Sequence, residues 1–474
     1  MIAMRPDRRH RRFRLAAPSV AVLLAGMVMT MPAAFADQPP QDAAAAARIV
    51  RVFAIPDIAL EGGVRLGGLS DLALAREQPV GTRSLWTLTD RGPNGTTKLG
   101  DRTLRTIAAP AFAPRLVRLD IPADADARGG DAAVVRTLAL ASGDGTPLSG
   151  RPLPGLADDP IVDAQSQARV AADRNGIDSE GLVEMADGTF WIAEEYGPSL
   201  LHVAASGRVI TRFFPAGAAP PDAGATACDT LPAAYARRRE NRGFEALAAT
   251  RDGARLFAML QSPLDNPRPK AAKKTGNVRL LVFDPEAGRP VTEHVYRLGA
   301  PDDPAFLTRG APPDDGKLCA MAALGDDTLL VLEQADGGLA RLYTATLAGA
   351  TDTLAWRPPA SEEGRTLEQV RDLAAAGIVP VRKRLVADVA GLLPEIEAAV
   401  YGGPSPSGKP RQLKLEGLAI LDPRTIAIVN DNDFAVHVRE GGAVPRSCLF
   451  VIELATPLPG GLAVPRAAAQ NAME

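Results

Sequence analysis

The sequence predicts an all-β fold, a β-propeller with six or seven irregular blades, and three observations lead to it. One motif occurs five times: an apolar strand, a tight turn and a second apolar strand, with acidic residues at the outer ends. The copies are separated irregularly, by about 65 to 110 residues, which is typical of a radial repeat that carries long insertions. Aromatic residues make up 4% of the chain, whereas Gly and Pro number 44 and 41, as expected of many strands joined by turns.

Residues 1–36 are predicted to be a signal peptide and not a part of the fold. Six arginines precede an apolar run over residues 15–31, and Ala34-Phe35-Ala36 fits the small-residue pattern of a cleavage site after Ala36. An uncleaved N-terminal anchor is the alternative, and the sequence leaves both the Sec and the twin-arginine export routes open. We expect a periplasmic or secreted protein with no transmembrane segment once the signal is removed.

Removal of this segment also changes the charge of the protein. The segment holds six Arg and one Asp, so its loss moves the formal net charge from −3 to −8. A mildly acidic exported protein is a poor candidate for nucleic-acid binding, because the phosphate backbone attracts positive charge. We expect a monomer that acts on a small molecule and binds no nucleic acid.

The folded domain is expected to span residues 48–460, between a disordered lead-in at 37–47 and a frayed tail at 461–474. A first strand within residues 48–58 is expected to pair with a strand far along the chain and so to close the ring. The five copies of the hairpin motif follow in order, at residues 67–95, 178–198, 241–263, 317–338 and 414–434.

A helical insertion is predicted near residues 363–398. Residues 366–375 and 384–398 carry apolar side chains at helical spacing, in contrast to the blade strands. We expect these helices to pack on the outer side of the ring.

The three cysteines permit at most one internal disulfide, and their spacing does not resemble a zinc site. Cys319 and Cys448 lie in or beside apolar strand runs, so we expect buried free thiols there. A disulfide from Cys228 to one of them stays open as an alternative.

Familiar catalytic motifs are missing from the sequence. It contains no G-x-S-x-G elbow, no phosphate-binding G-x-x-x-x-G-K-[ST] loop and no H-E-x-x-H zinc motif. After signal removal only His202, His294 and His437 remain, and they lie outside the repeated acidic units, so a Ser-His-Asp triad is unsupported. What recurs is acidic residues with basic companions.

These recurring acids are the candidate site, because one end of every blade of a propeller faces the central channel. Clustered carboxylates repel unless a cation joins them, and oxygen ligands without His or Cys favour Ca²⁺ or Mg²⁺. The residues predicted to be catalytic are Glu180, Glu195, Glu245 and Glu416. The predicted metal ligands are Asp90, Glu180, Glu245, Glu333, Glu416, Asp431 and Asp433. The predicted substrate-binding residues are Arg91, Arg242 and Lys414.

An ordinary structural role stays open for each of these acids. Acidic residues at hairpin ends suit turns and form hydrogen bonds to nearby backbone. The pairs Arg242–Glu245 and Lys414–Glu416 are also compatible with ion pairs between blades. Recurrence at equivalent places, next to buried strands, favours a functional site for the group as a whole.

Four phrases together resemble the phytase-like domain family, also called the esterase-like activity of phytase family: TDRGPNG at 89–95, DSEGLVEMADGTFWIAEEYGP at 178–198, NRGFEALAATRDGARLFAMLQSPL at 241–264 and KLEGLAILDPRTIAIVNDNDF at 414–434. The resemblance extends from about residue 60 to residue 455 and implies an exported bacterial β-propeller. It also implies ester or phosphoester hydrolysis, by analogy with propeller phytases whose acidic channel residues hold Ca²⁺. Ala246 departs from the pattern, because Gly181 and Gly417 follow the acid in two other copies.

We therefore expect an exported hydrolase of phosphoesters or related esters, with a divalent cation among the acids that activates water. Two alternatives remain. One is a non-catalytic propeller that binds a ligand or an envelope protein, and the other is a metal-dependent esterase or lactonase.

Overall fold

The computed structural model describes residues 47–124, 129–156, 158, 160–221, 226–272, 275–299, 316–335 and 338–459. All of them belong to one unit that spans residues 43–474. The predicted signal peptide, almost all of the lead-in and the predicted frayed tail lie outside the described residues. Within these ranges, every helix is too short or too polar to span a bilayer.

Strands dominate the fold, and most of them form five sheets. The first strand of the described residues is β1 (Arg48–Ala54), which pairs with a strand near residue 450. Sheet 1 contains, in order, β2 (Leu69–Leu74), β3 (Thr82–Thr89), β6 (Arg115–Pro122) and β8 (Ala133–Ala139). A three-stranded side sheet contains β4 (Asn94–Leu99), β5 (Arg102–Ile107) and β9 (Val162–Asp163).

The other four sheets follow one another along the chain. Sheet 2 contains β10 (Ser179–Glu184), β11 (Phe190–Glu194), β12 (Ser199–Val203), β13 (Val209–Pro215) and β14 (Ala227–Leu231). Sheet 3 contains β15 (Phe244–Ala249), β16 (Leu256–Leu260), β17 (Asn277–Asp284) and β18 (Arg289–Arg297). Sheet 4 contains β19 (Gly316–Ala323), β20 (Thr328–Ala335), β21 (Leu339–Thr346) and β22 (Arg382–Asp388). Sheet 5 contains β23 (Lys414–Asp422), β24 (Thr425–Asp431), β25 (Cys448–Glu453), β1 and β7 (Gly130–Asp131).

The prediction of five repeated hairpins is confirmed. Each predicted copy forms the first two strands of one of the five sheets, paired antiparallel. Strands such as β11 and β16 are buried along their whole length, and Asp-Gly turns such as Asp187-Gly188 reverse the chain between the paired strands. The predicted number of six or seven blades is not confirmed by these sheets.

The first strands of the five sheets contact one another in cyclic order. β2 packs against β10, β10 against β15, β15 against β19, β19 against β23, and β23 against β2. The apolar faces between neighbouring sheets form the core, whose largest cluster includes Trp191, Phe257 and Phe283. Such a cyclic order places the first strands around a common centre.

The expected long-range pairing of the first strand is also confirmed. β1 pairs antiparallel with β25, from Arg48 opposite Glu453 to Ala54 opposite Cys448. The last sheet is therefore completed by the first strand of the chain, which covers an edge that would otherwise be exposed.

The predicted helical insertion is largely wrong. Arg382–Asp388 is the outer strand β22, paired with β21, and the single α-helix of the described residues, α1, spans Leu393–Tyr401. In β22 the apolar residues Leu385, Val386 and Ala387 are consecutive, and Ala387 packs in the core between sheets 4 and 5. Residues 366–375 form only a 3₁₀ turn at Leu367–Gln369. The remaining 3₁₀ turns lie at Glu61–Gly63, Ala233–Arg237, Ala360–Glu362, Ala390–Leu392, Asp433–Ala435 and Glu440–Gly442.

All three cysteines are free thiols. Cys319 and Cys448 are buried, as expected, and Cys228 is half-buried. The alternative of a disulfide from Cys228 is not supported.

Candidate functional site

Each first strand carries a β-bulge at the same place. The pairing register between the first and second strands shifts by one residue there, and the extra residue points away from the regular ladder. The five residues at these bulges form what we name the bulge ring: Ser70, Glu180, Glu245, Cys319 and Glu416.

A second set of equivalent residues lies where each second strand ends. One residue near the end of that strand stands opposite the residue before the bulge, as in the pairs Ser179–Glu194 and Leu318–Glu333. The residues that come next form what we name the rim: Asp90, Glu195, Gln261, Gln334 and Asp431. The rim residues Asp90 and Glu195 donate their backbone N–H groups to the carbonyl oxygens of Gly68 and Asp178, each at 2.8 Å.

The bulge ring and the rim meet in a cluster of buried carboxylates. One carboxylate oxygen each from Asp178, Glu180 and Glu195 lies within 4.8 Å of the others, and all three side chains are buried. Glu180 lies in β10, Asp178 directly precedes that strand, and Glu195 directly follows β11. The hairpin therefore gathers the acids at one edge, as the sequence predicts.

The predicted acids of different sheets approach one another. Burial raises the pKa of Glu180, and the charges of Asp178, Glu245 and others raise it further. Burial also raises the pKa of Glu245, with contributions from Glu195 and Glu416. The pKa of Glu416 rises to about 8, mainly because of burial, although the nearby Lys414 ammonium lowers it. Such mutual repulsion is expected of carboxylates that share one site.

The pKa of Glu195 is set by opposing effects of burial and of nearby charges. Burial and the charge of Asp178 raise its pKa to about 7, while the guanidinium groups of Arg91, Arg238 and Arg105 lower it. Among the described residues, Glu195 Oε1 and Glu245 Oε2 are buried without a hydrogen-bond partner. Buried oxygen atoms of this kind are costly unless a ligand, ion or water satisfies them.

The predicted basic residues lie beside the cluster but differ in their partners. Arg91 forms an ion pair with Asp178 at 2.7 Å, and its guanidinium lies over the Tyr196 ring, 5.6 Å from the centroid. Arg242 has a buried Nη1 atom that lacks a hydrogen-bond partner within the described part of the chain. Lys414 is held by Asp431, at 2.8 Å, and by Asp433.

Asp90, Asp431 and Asp433 form a second group where sheets 5 and 1 adjoin. Burial and the charges of Asp431 and Asp178 raise the pKa of Asp90, whose Oδ1 accepts the Gly92 N–H at 2.8 Å. In contrast, burial raises the pKa of Asp433, but the charge and hydrogen bond of Lys414, together with His437 and Arg439, bring it below its ordinary value. This second group is therefore partly neutralised by a lysine, unlike the cluster around Glu180.

Comparison with known proteins identifies the family. Residues 64–434 match the phytase-like family, described as esterase-like activity of phytase. The chain belongs to the phytase-like family. An uncharacterized secreted protein of Arthroderma benhamiae is 28% identical over 186 residues, which cover 34% of this chain and 36% of that protein. The chain thus spans little more than a third of the length of this curated relative.

Two solved structures illustrate more distant likeness to this phytase-like protein. The PQQ-bound aldose sugar dehydrogenase of Streptomyces coelicolor is 12% identical, with a TM-score of 0.33, and the match covers 88% of this chain and 99% of that one. The α-L-arabinofuranosidase of Podospora anserina in complex with cellotriose is 11% identical, with a TM-score of 0.36, and the match covers 86% and 98%. These scores are too low to transfer a fold or an activity.

Glu333, a predicted metal ligand, lies away from both groups of acids in this phytase-like chain. Its carboxylate is buried, accepts hydrogen bonds from Tyr296 and from the Gly299 backbone, and pairs with Lys383. Gln334, the next residue, occupies the rim position and accepts the Leu415 N–H at 3.0 Å. A strand alternates its side chains between two faces, so a shift of one residue moves the acid away from the site.

Sequence reasoning missed several residues of the two sets. Ser70, Cys319, Gln261 and Gln334 are not acidic, and Asp178 was not assigned a role. One signal was present in the sequence, since Lys317-Leu318-Cys319-Ala320 aligns with Lys414-Leu415-Glu416-Gly417. That alignment identifies Cys319 as the equivalent of Glu416.

Beyond the bulge ring, the first strands of the phytase-like fold carry buried apolar side chains, with the buried carboxylate of Asp71 among them. The next inward positions are buried and apolar: Leu72, Leu182, Leu247, Met321 and Leu418. All five first strands also line one cavity of about 390 Å³ beyond this layer. The apolar layer separates that cavity from the carboxylates, so the two ends of the centre differ in chemistry.

Proposed function

We propose that this phytase-like chain is an exported hydrolase that cleaves phosphoesters or related esters at the carboxylate cluster with the help of a divalent cation. The observation that carries the proposal is the approach of the Asp178, Glu180 and Glu195 oxygen atoms to within 4.8 Å of one another in a buried place. The family supports ester chemistry, and the secreted relative supports export.

The side chains present fit a hard cation. All three groups offer carboxylate oxygen, and a buried Glu195 oxygen stands without a partner among the described residues. Oxygen donors without His suit Ca²⁺ or Mg²⁺ better than zinc or copper. A cation bound there would polarise an ester oxygen and lower the pKa of water.

The neighbouring residues supply the remaining roles. Arg91 and Arg242, beside the cluster, orient and neutralise an anionic ester group. Glu416 is half-buried and its raised pKa of about 8 lets it hold a proton near neutral pH. We assign it the transfer of a proton to or from the reacting group.

We further propose that the five sheets are the blades of a five-bladed propeller whose axis passes through the bulge ring. The cyclic contacts of the first strands and the equivalence of the five bulges support this arrangement. The apolar layer beneath the ring would close the axis below the carboxylates. Substrate would then reach them only from the rim side.

Calcium binding and hydrolysis by the mature protein test the proposal together. Calorimetric titration with Ca²⁺ should show a site that Glu180→Gln weakens by at least about tenfold, because an anionic ligand is lost. Phosphate release from nitrophenyl phosphate and phytate should be abolished by EDTA and strongly reduced by Glu180→Gln. Parallel assays with nitrophenyl acetate and lactones distinguish a phosphoesterase from an esterase or lactonase.

The matched control is Glu286→Gln, which removes an exposed acid from the turn between β17 and β18. It should leave binding, activity and melting temperature unchanged. Loss of activity with an unchanged melting temperature in Glu180→Gln and Glu416→Gln supports the enzyme. A large loss of stability in both variants, with no hydrolysis of any ester by the wild type, would instead support a non-catalytic scaffold.

A further inference from the structure

A small cavity borders the carboxylate cluster. This inner cavity has a volume of about 80 Å³, and Arg91, Tyr196, Leu153 and Asn241 contribute to its wall. Since a water molecule takes up about 30 Å³ in the liquid, the space suits two or three waters or one small anionic group. Because Arg91 also pairs with Asp178, the inner cavity lies directly beside the cluster.

A larger and more open cavity lies next to it. This outer cavity has a volume of about 490 Å³ and is lined in part by Thr96, Arg239 and Lys270. Arg105 and Glu240 line both cavities. Arg105 lies on β5 of the side sheet, and Glu240 lies in the segment that leads into β15. These two side chains therefore lie between the outer and the inner cavity.

The walls of the inner cavity place two guanidinium groups near each other. Burial lowers the pKa of Arg105, and the positive charge of Arg91 lowers it further. Arg169 adds a third cationic side chain to the same wall, while Asp158 in that wall is already paired with Arg238. An anion between Arg91 and Arg105 would relieve their repulsion.

Arg105 forms a long ion pair with Glu240. The closest Arg105–Glu240 nitrogen–oxygen distance is 3.7 Å, and the side chains are 36% and 42% exposed. The buried Arg91–Asp178 pair, at 2.7 Å, is much tighter. An ion pair of the loose, exposed kind contributes little free energy, so another anion can replace Glu240 at small cost.

We propose that Arg105 is a specificity-determining residue, at which an oxyanion group of the substrate replaces Glu240 on its way to the carboxylate cluster. Without such a cation, the acidic cluster would repel the anionic substrate. Arg105 carries no signal in the sequence, since it lies in the side sheet and outside the repeated hairpins. This inference rests on the proposed function for the identity of the cluster that the substrate reaches.

Titration of the mature protein with inorganic phosphate in the presence of EDTA tests Arg105 directly. Arg105→Gln should weaken phosphate binding by at least about tenfold, because a charge-assisted contact is lost. Glu240→Gln should strengthen it, because the competing carboxylate is removed. Arg102→Gln, at an exposed position on the same strand, is the matched control and should change the affinity by less than about twofold.

Opposite effects of the two variants separate recognition from a merely structural ion pair, which would weaken binding in both. Equal phosphate affinity in Arg105→Gln and wild type, or weaker binding in Glu240→Gln, overturns the inference. On a phosphate ester, Arg105→Gln should raise KM by about tenfold and leave kcat nearly unchanged. If Arg105→Gln hydrolyses the ester with an unchanged KM, the role of Arg105 is rejected and the proposed function stands. If phosphate binding depends on Arg105 but no ester is hydrolysed, the role of Arg105 stands and the proposed function is rejected.

Discussion

Asp71 shows how a single buried carboxylate joins three sheets. It follows the bulge residue Ser70 in β2, and its oxygen atoms accept the N–H groups of Leu72 and Leu182, each at 2.7 Å. The backbone of Leu418 in sheet 5 is a third donor. The first strands have one edge without a neighbouring strand, and Asp71 satisfies N–H groups from three of these edges.

Asp71→Ala should therefore destabilise the fold. Each buried N–H group left without an acceptor costs about 1–3 kcal/mol, so we expect the free energy of unfolding to fall by about 3 kcal/mol or more. Urea denaturation measures the difference. Asp101→Ala, at an exposed position, serves as the control and should cost less than about 0.5 kcal/mol. Similar losses in both variants would refute the role given to Asp71.

Residue by residue, the sequence predicts the acids of the cluster but not their orientation. The sequence predicts that four of them approach one another, Glu180, Glu195, Glu245 and Glu416. That prediction is possible because each hairpin end can be recognised from its turn and its flanking apolar runs. The choice between Glu333 and Gln334 depends on a register offset of one residue, which alternation alone does not determine. Side chains such as Ser70 carry no charge, so no electrostatic signal marks them in the sequence.

At the scale of elements, the bulge explains why a small residue follows it in four of the five first strands, β2 with Asp71 being the exception. A Cβ atom on Gly417 would lie 2.7 Å from the backbone carbon of Asp71, and one on Gly181 would lie 2.7 Å from the Leu247 nitrogen. Adjacent first strands therefore approach most closely at this position. In β15 the equivalent residue is Ala246, so sheet 3 leaves room there for one methyl group.

Gly417→Ala and Gly181→Ala should each destabilise the protein by about 1–3 kcal/mol, because a methyl group would press two backbones apart. Gly325→Ala is the comparison, since a Cβ atom there meets no atom within 4 Å. Thermal unfolding followed by circular dichroism reports the three variants. If Gly417→Ala and Gly325→Ala have the same melting temperature, close approach of the strands is not the reason for glycine at position 417.

The element predictions succeeded where alternation and turns agreed and failed where composition was ambiguous. Strands such as β11 combine aromatic and β-branched residues with a clear Asp-Gly turn. In β22, alanine and leucine satisfy both helical and strand spacing, and only pairing with β21 decides the outcome. Arg105 lies in a hairpin that is not repeated, so no comparison between copies could reveal it.

For the whole molecule, the carboxylate cluster predicts that stability depends on pH and on cations. The pKa of Glu195 is raised to about 7 and that of Glu416 to about 8, and those of Glu180 and Glu245 are raised as well. The unfolded chain therefore releases these protons at lower pH than the folded protein does, so its free energy falls relative to the folded state as pH rises.

Without added cations, the melting temperature should fall as the pH rises from 6.5 to 8. This window starts at the ordinary pKa of histidine, 6.5, and it ends near the Glu416 pKa of about 8. Added Ca²⁺ should reverse most of this fall at pH 8, because it binds the ionised carboxylates of the folded state. Scanning calorimetry with EDTA or Ca²⁺ measures both effects. Glu245→Gln should flatten the dependence, and a wild-type melting temperature that stays constant across the window would rule out the effect.

The pairing of β1 with β25 also fixes the order in which the fold can be completed. The earliest residues of the domain to leave the ribosome find their antiparallel partner only when Cys448–Glu453 has followed, although β1 also pairs in parallel with the short β7. Until then β1 and β24 each present a bare edge, and a second nascent copy offers the same missing partner. Synthesis at a high concentration of nascent chains should therefore produce strand-exchanged dimers. The dimers should become rarer when the chain is synthesised slowly and at low concentration.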